Sequence, residues 1–309
     1  MKRHSILLSI LILTGLFTSC DDEMGYDVPT AVGPSAQQFG ALKSAAYRNL
    51  IQEFTFDANN EVVTFTSEKG VVITYDTSCL TIDGEPVTGE FTIEYVEIFD
   101  KGNMLTADRP TMGKTTNGYL SMMVSGGEIF MKAVQNGEEI DSDCGYTVAV
   151  PTSLTGGEDD DMEPLTGSFQ NGGLVWTPTP LEFWTGASQE DDTVYYNAEV
   201  NNFDWFSSGR FTDFDGQMIT LNAWVPEGYN SSNCNIYVAI EGEDHALGTL
   251  SGQYPVGRKC HLIFVTVNNG NWSYSIQSVT LSNTMYTFSE SGLQTTTEAN
   301  LISVINNLP

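Results

Sequence analysis

Residues 91–98 read Phe91-Thr92-Ile93-Glu94-Tyr95-Val96-Glu97-Ile98, and this stretch decides the fold class. Its apolar side chains recur at every second position, which is the period of a strand with one buried face. Most of its residues are β-branched or aromatic, the types that fit a pleated surface. The stretch therefore predicts a β-strand.

Segments of the same kind lie on both sides of this stretch. They are separated by turns rich in Gly, Asn, Asp and Ser. In the first half of the chain they are residues 62–66, 71–75, 119–124, 128–134 and 146–150, and in the second half 194–200, 218–225, 236–241, 260–267 and 272–281. Short strands at such spacing predict an all-β fold of antiparallel β-sandwiches, Ig-like or transthyretin-like.

Helical periodicity is confined to the two ends of this β region. Residues 35–52 repeat apolar side chains every three to four positions, and Ser35 has the residue type of an N-cap. Near the end of the chain, Thr295 and Glu298 have the spacing of a capping box before an apolar face that includes Leu301 and Ile305. We expect a short helix at each position.

An acidic segment divides the chain into two predicted domains. Residues 152–164 combine Gly156-Gly157 with the run Glu158 to Asp161, a composition typical of a flexible, self-repelling linker. The predicted domains are an N-terminal β-sandwich at 35–151 and a C-terminal β-sandwich with its helix at 165–309. Both have a typical domain size.

The first twenty residues have the parts of an export signal. Lys2 and Arg3 precede an apolar run at 6–17, too short for the ~20 residues of a membrane span. The segment ending at Cys20 resembles a bacterial lipobox, although Phe17 stands where leucine is usual. The resemblance implies cleavage before Cys20 and acylation of that residue, which would anchor the protein to a membrane. The alternative is an ordinary secreted protein with a chance cysteine.

Acidic residues follow the cysteine directly. Asp21, Asp22 and Glu23 resemble the surface-export signal of Bacteroidetes lipoproteins, and they begin a predicted flexible tether at 21–34. The resemblance implies an outer-membrane protein exposed at the cell surface. In other bacteria an Asp at this position would instead indicate inner-membrane retention, and a plain solvated tether is the third interpretation.

Net charge limits the partners. The chain has 12 Lys and Arg against 40 Asp and Glu, a formal charge of −28. Removal of the residues before Cys20 takes away Lys2 and Arg3 but no acid, which leaves 10 − 40 = −30. Nucleic acids and anionic lipids are recognised by basic surfaces, so neither is expected as a partner.

Four cysteines remain beyond Cys20. An exported chain permits disulfides, and four cysteines allow three pairings. The pairing of Cys79 with Cys144 and of Cys234 with Cys260 keeps each bridge inside one predicted domain. Four buried free thiols are the alternative.

Two passages resemble a family of two-domain β-sandwich lipoproteins of Bacteroidetes. The first comprises residues 81–89, 93–104, 109–111 and 125–128, and the second comprises residues 203–206, 209–211, 226–229 and 255–265. The resemblance extends over nearly all the mature chain and implies an envelope location and two sandwiches. It supplies no catalytic residue that can be transferred.

Aromatic residues give the candidate ligand site. All five tryptophans lie in the second half. Trp224 and Trp272 sit on apolar strands and are expected to pack in the core. Trp176 and Trp184 bracket the loop-like segment 177–180 and are the candidates for a surface patch that stacks on a ligand. Burial in the core is the competing interpretation for this pair.

No constellation for catalysis, a metal or a cofactor is evident. His245 and His261 are the histidines left after maturation. His245 is expected in a surface loop, and His261 is expected to pack within a strand. Asp213 and Asp215 match only part of a calcium loop and are expected to form a plain turn. No nucleophile elbow, zinc helix or phosphate loop occurs.

The sequence therefore predicts a non-enzymatic, lipid-anchored envelope protein that serves in binding or adhesion, with a glycan or a protein as its ligand. Two alternatives remain open. One is a structural subunit of a surface assembly, such as a fimbria-like polymer or an outer-membrane transport complex. The other is a hydrolase that acts on glycans.

Overall fold

A computed structural model describes residues 32–189, 192–212 and 216–309. Cys20, Asp21, Asp22, Glu23, the signal segment, most of the tether, Asp213 and Asp215 lie outside these ranges. Three helices occur in the described residues: α1 (Ala36–Arg48), α2 (Lys101–Thr106) and α3 (Glu298–Asn306). None of the described helices is long and apolar enough to span a membrane.

The described residues form a mostly β structure, as the alternating sequence pattern predicts. The strands of the first half are β1 (Gln52–Asp57), β2 (Val62–Thr66), β3 (Val72–Asp76), β4 (Leu80–Ile82), β5 (Glu85–Pro86), β6 (Glu90–Ile98), β7 (Met112–Lys114), β8 (Leu120–Gln135), β9 (Glu138–Ser142) and β10 (Tyr146–Pro151). Those of the second half are β11 (Glu163–Gln170), β12 (Gly173–Pro178), β13 (Phe183–Ala187), β14 (Val194–Val200), β15 (Trp205–Phe211), β16 (Met218–Thr220), β17 (Asn222–Trp224), β18 (Cys234–Ile240), β19 (Gly248–Thr249), β20 (Gln253–Pro255), β21 (Lys259–Asn268), β22 (Asn271–Thr280), β23 (Met285–Thr287) and β24 (Gln294–Thr296).

Strands from both halves share the same sheets. A twelve-stranded sheet runs β15-β11-β12-β7-β8-β9-β4-β5, with β6 pairing β8 and β1 pairing β6, while β16 and β20 branch from β8. A five-stranded sheet runs β13-β14-β10-β3-β2, and another runs β19-β18-β21-β22-β24. The last pair, β17 and β23, is parallel.

This mixing shows that the predicted division into domains at 35–151 and 165–309 is wrong. Val32–Pro309 is one compact unit, because β8 pairs with β15 and β10 pairs with β14 across the predicted boundary. Residues 152–164 are also not a free linker, since Arg210 Nε donates to Asp159 Oδ2 at 2.6 Å. The acidic residues of this segment predict a linker, but one of them, Asp159, forms an ion pair with Arg210, which is distant in sequence.

The stretch that predicts the fold class lies near the middle of the largest sheet. β6 alternates buried and half-buried side chains over 91–95 and is buried throughout 95–98, and it pairs with both β1 and β8. β8 joins two predicted strands into one of sixteen residues, and its register against β15 shifts between Ser207 and Gly209. Residues 125–127, whose sequence predicts a turn or a bulge between the two strands, therefore form an irregularity within one continuous strand.

Both predicted terminal helices form. Ser35 caps α1 by accepting from the Gln38 backbone N–H at 3.2 Å. Thr297, not Thr295, caps α3, because its hydroxyl accepts from the Asn300 N–H. α3 packs on α2, where a Cβ on Gly102 would lie 2.7 Å from the Ile302 backbone, so a glycine permits this close helix approach.

Candidate functional site

Two of the predicted disulfide cysteines form a bond. Cys79 and Cys144 are bonded with a Cα–Cα distance of 5.8 Å, so this half of the predicted pairing is confirmed. Cys79 follows β3 and Cys144 precedes β10, two strands that pair directly, which places the cysteines side by side. Asp76 lies beside this bond, but bonded sulfurs are not thiolate ligands for a metal.

The other predicted pairing, Cys234 with Cys260, is wrong. Both thiols are free and buried. In the β18–β21 ladder Cys234 pairs with Thr266 and Cys260 pairs with Ile240, so the cysteines are six strand positions apart, 260 to 266. At ~3.3 Å per residue that is about 20 Å, far beyond the reach of a disulfide.

Of the two tryptophans predicted to bind a ligand, one is in the core. Trp176 is 0% exposed and packs edge-on against Trp205 with a centroid distance of 6.1 Å, so its place in a surface patch is a wrong prediction. Trp176 lies on strand β12 (Gly173–Pro178), which includes the first two residues of the predicted loop-like segment 177–180, and this explains its burial. Trp184 on β13 is 44% exposed and stays available at the surface.

A different tryptophan is the most exposed ring. Trp224, which the sequence places in the core, is 66% exposed, while Trp272 is buried as predicted. Both β17 and β23 alternate exposed, half-buried and exposed side chains, so Trp224 shares an outer face with Asn222 and Met285. We call these three residues and Thr287, on the same outer face, the Trp224 ledge.

A cleft of about 620 Å³ adjoins this ledge. Four parts of the fold build it: the end of α1, the turn after α2, the β11–β12 hairpin and strand β18 with the loops around it. We call it the amide cleft, because its lining includes Asn171, Asn230 and Asn235 as well as Lys43, Asp108, Ser231, Cys234, Tyr237, Leu250 and Ser251. Leu250 and Ser251 also line the depression beneath Trp224, which measures about 540 Å³, so the two surfaces are continuous.

Asp108 organises one wall of the amide cleft. Its backbone is left-handed, with φ 57°. Lys43 Nζ donates to Oδ2 at 2.8 Å, and the Tyr237 hydroxyl donates to Oδ1 at 2.6 Å. Asn235 Nδ2 also donates to Oδ1 at 3.0 Å. Both carboxylate oxygens therefore have partners, and α1, α2 and β18 are tied together at this point.

The titratable groups of the cleft are held in their neutral or paired forms. Burial, and then the Asp108 carboxylate, raises the pKa of the Tyr237 hydroxyl well above its usual 10.0. Burial raises the pKa of the Cys234 thiol to about 11, and its Sγ donates to the Asn230 carbonyl at 3.2 Å. Because the thiolate is the nucleophilic form, a thiol with so high a pKa is unreactive at neutral pH.

The two histidines have structural partners. His261 is buried on β21, its Nδ1 lies 2.9 Å from Ser278 Oγ, and burial lowers its pKa, in agreement with the predicted packed strand residue. His245 Nδ1 lies 2.8 Å from the Phe99 carbonyl oxygen. Neither residue belongs to a cluster of metal-ligating side chains among the described residues.

Comparisons with protein-family models, with curated proteins and with solved structures found no match for this chain.

Proposed function

We propose that the chain is a non-enzymatic, lipid-anchored protein of the bacterial envelope that binds a ligand in the amide cleft and on the Trp224 ledge. The observation that carries the binding role is the continuity of an exposed tryptophan with a polar cleft of about 620 Å³. A large exposed aromatic ring beside a concave surface is typical of binding sites. Cys20 supports the lipid anchor through its resemblance to a lipobox. The acids after Cys20 support the surface location through their resemblance to the export signal of Bacteroidetes lipoproteins.

The chemistry of the cleft supports a binding role over a hydrolytic one. Glycoside hydrolysis uses two carboxyl groups in a cleft, one with a raised pKa. Asp108 is the carboxyl group that lines the amide cleft, and both of its oxygens already accept hydrogen bonds from side chains. Burial raises the pKa of Glu128 well above its usual 4.5, but this residue lies in the interior.

The anchor is tested by protease treatment of intact and lysed cells that carry the native chain or Cys20→Ala. We expect degradation of the native protein on intact cells and release of the Cys20→Ala variant from the membrane fraction. Protection of the native protein until lysis would contradict surface exposure. Membrane retention of Cys20→Ala would contradict lipid anchoring.

The binding role is tested with purified Cys20→Ala protein and its Trp224→Ala derivative. Both are screened against immobilised polysaccharides, mucin and outer-membrane proteins of the native host. We expect at least one of these to bind in a manner that depends on Trp224. Binding that Trp224→Ala leaves unchanged would place the ligand elsewhere and remove the support for this site.

A second function, as a subunit of a surface assembly, is favoured by the edges of one sheet. β2 and β13 are the outermost strands of the sheet β13-β14-β10-β3-β2, and Val62 on β2 is 60% exposed. Partner strands add to such edges. Val62→Lys would leave the buried Val63 and Phe65 in place while adding charge at the edge. If the chain assembles through β2, this variant is monomeric by light scattering where the native sequence is polymeric.

A further inference from the structure

We propose that the ligand of the amide cleft and the Trp224 ledge is an uncharged polysaccharide, bound over several sugar rings. The inference rests on the proposed binding function and specifies its ligand class. It follows from the charge of the lining, the kind of polar groups in it, the exposed ring and the joined depressions.

The lining of the two depressions has no free charge. Lys43 and Asp108 are the charged side chains among the described residues that line them, and they pair with each other at 2.8 Å. An anionic ligand would have to draw Lys43 away from Asp108, and a cationic one would have to displace Lys43 from it. The whole chain carries a formal charge of −28, which also repels polyanions. The lining therefore offers no unpaired charge to a ligand of either sign.

The remaining polar groups are amides and hydroxyls. Asn171 lies at the tip of the β11–β12 hairpin, Asn230 and Ser231 precede β18, and Ser251 follows β19. Amides offer both donors and acceptors, and hydroxyls do the same. Such a mixture matches the hydroxyl groups of a sugar, each of which can donate one hydrogen bond and accept others. A peptide ligand would present fewer hydroxyls and more apolar side chains.

Trp224 supplies the apolar complement to these polar groups. The ring is 66% exposed, and the neighbouring Met285 is 45% exposed. A pyranose ring has a face of C–H groups that can stack on an indole, whose face carries partial negative charge. The Trp224 ledge is thus suited to one sugar face, while the amide cleft is suited to the hydroxyl edges of the rings that follow.

The size of the surface indicates a chain and not a single sugar. The two depressions measure about 620 Å³ and 540 Å³ and share Leu250 and Ser251. Pockets of ~300–1,000 Å³ each hold a drug-sized molecule. A ligand that contacts Trp224 and Asn171 at once must pass over the shared residues, so affinity should rise with oligosaccharide length until both depressions are filled.

The test is affinity electrophoresis of the Cys20→Ala chain through native gels. The neutral probes are α- and β-glucans, mannan, galactan and xylan, and the acidic probes are polygalacturonate and alginate. We expect at least one neutral polysaccharide to retard the protein, with a dissociation constant that changes less than about twofold between 0.05 M and 0.5 M NaCl, because screening acts on charges. Neither acidic probe should retard it.

Variants locate the binding surface. Trp224→Ala should weaken binding of the neutral probe roughly tenfold to a hundredfold, the equivalent of losing one stacked aromatic side chain. Trp184→Ala is the matched control, since Trp184 is also exposed but lies on β13, and it should leave binding unchanged. Asn171→Ala should weaken binding of long oligosaccharides more than that of short ones.

The outcomes separate this inference from the function on which it rests. Trp224-dependent binding of an acidic polysaccharide, mucin or an envelope protein, without binding of any neutral probe, would overturn the neutral-glycan inference and leave the binding role intact. Binding of a neutral probe that Trp224→Ala does not affect would overturn both.

Discussion

Asp108 in the wall of the amide cleft and Glu128 in the interior are both carboxyl groups, but their surroundings differ. Asp108 is part-exposed and accepts hydrogen bonds from Lys43, Tyr237 and Asn235. Glu128 is 0% exposed, and neither of its oxygens has a hydrogen-bond partner in the described structure. It lies on the central strand β8, opposite Ile98 on one side and Ser207 on the other.

The two carboxyl groups differ in their hydrogen-bond donors as well as in their burial. Burial raises the pKa of Glu128 well above its usual 4.5, and the Arg109 charge and the nearby Trp176 indole offset only part of that rise. Glu97 is also buried, yet it accepts from the side chains of Gln52, Ser67 and Tyr95 and from the Lys69 N–H. Hydrogen-bond donors thus surround Asp108 and Glu97, whereas neither oxygen of Glu128 has one in the described structure.

Among changes to these carboxyl groups, removal of the Asp108 carboxylate should have the largest effect on stability. Asp108→Ala leaves Lys43 and the Tyr237 hydroxyl without their acceptor and puts a Cβ-bearing apolar residue at φ 57°. We expect a loss of ~2–4 kcal/mol in the free energy of unfolding, measured with urea. Asp108→Asn keeps an acceptor and tolerates the left-handed backbone, so it should lose less than half as much. Equal stability of Asp108→Ala and the native sequence would show that the wall does not depend on this residue.

Glu128→Gln should change the pH dependence of stability. A carboxyl group whose pKa is raised by folding contributes stability that is fully present below its unfolded pKa near 4.5 and is lost as pH rises through its folded pKa. Glutamine does not titrate and is nearly the same size. The variant should therefore be as stable as the native sequence below pH 4.5 and more stable than it at pH 7.

The control for this prediction is Glu97→Gln. It removes the charge from a carboxyl group that accepts from four donors, and its new amide would face some of those donors with a donor of its own. This variant should be less stable than the native sequence at pH 7. Higher stability of both Glu128→Gln and Glu97→Gln at pH 7 would mean that the donors around Glu97 do not make its surroundings different from those of Glu128.

The strand pattern carried most of the information about local structure. Residues 62–66 and 194–200 are predicted as strands and form β2 and β14 with the same bounds, because alternation and turn residues are local signals. The pairing of β8 with β15 depends on contacts between residues about eighty positions apart. No local signal records such pairing, so the sequence led to two domains where the structure has one unit.

The candidate site could not be predicted from the sequence either, because it also depends on which distant strands and helices come together. The Pro residues around Trp176 indicated a loop, although the preceding residues pair as β12 in the interior. Trp224 stands in an apolar segment, but β17 is a short strand of a two-stranded ribbon and has its other face open. Asp108 follows a short helix and becomes important only because α1 and β18, from distant parts of the chain, bring Lys43 and Tyr237 to it.

Trp224→Ala should have the smallest effect on stability, and this result would sharpen the contrast between cleft and interior. An exposed ring contributes little to the core, so the free energy of unfolding should change by no more than about 0.5 kcal/mol. Trp176→Ala removes a fully buried ring beside Glu128 and should lose ~3–5 kcal/mol. Urea unfolding of both variants measures the difference. A large loss in Trp224→Ala would mean that the ring supports the β17–β23 ribbon, and weaker ligand binding in that variant would then have a structural cause.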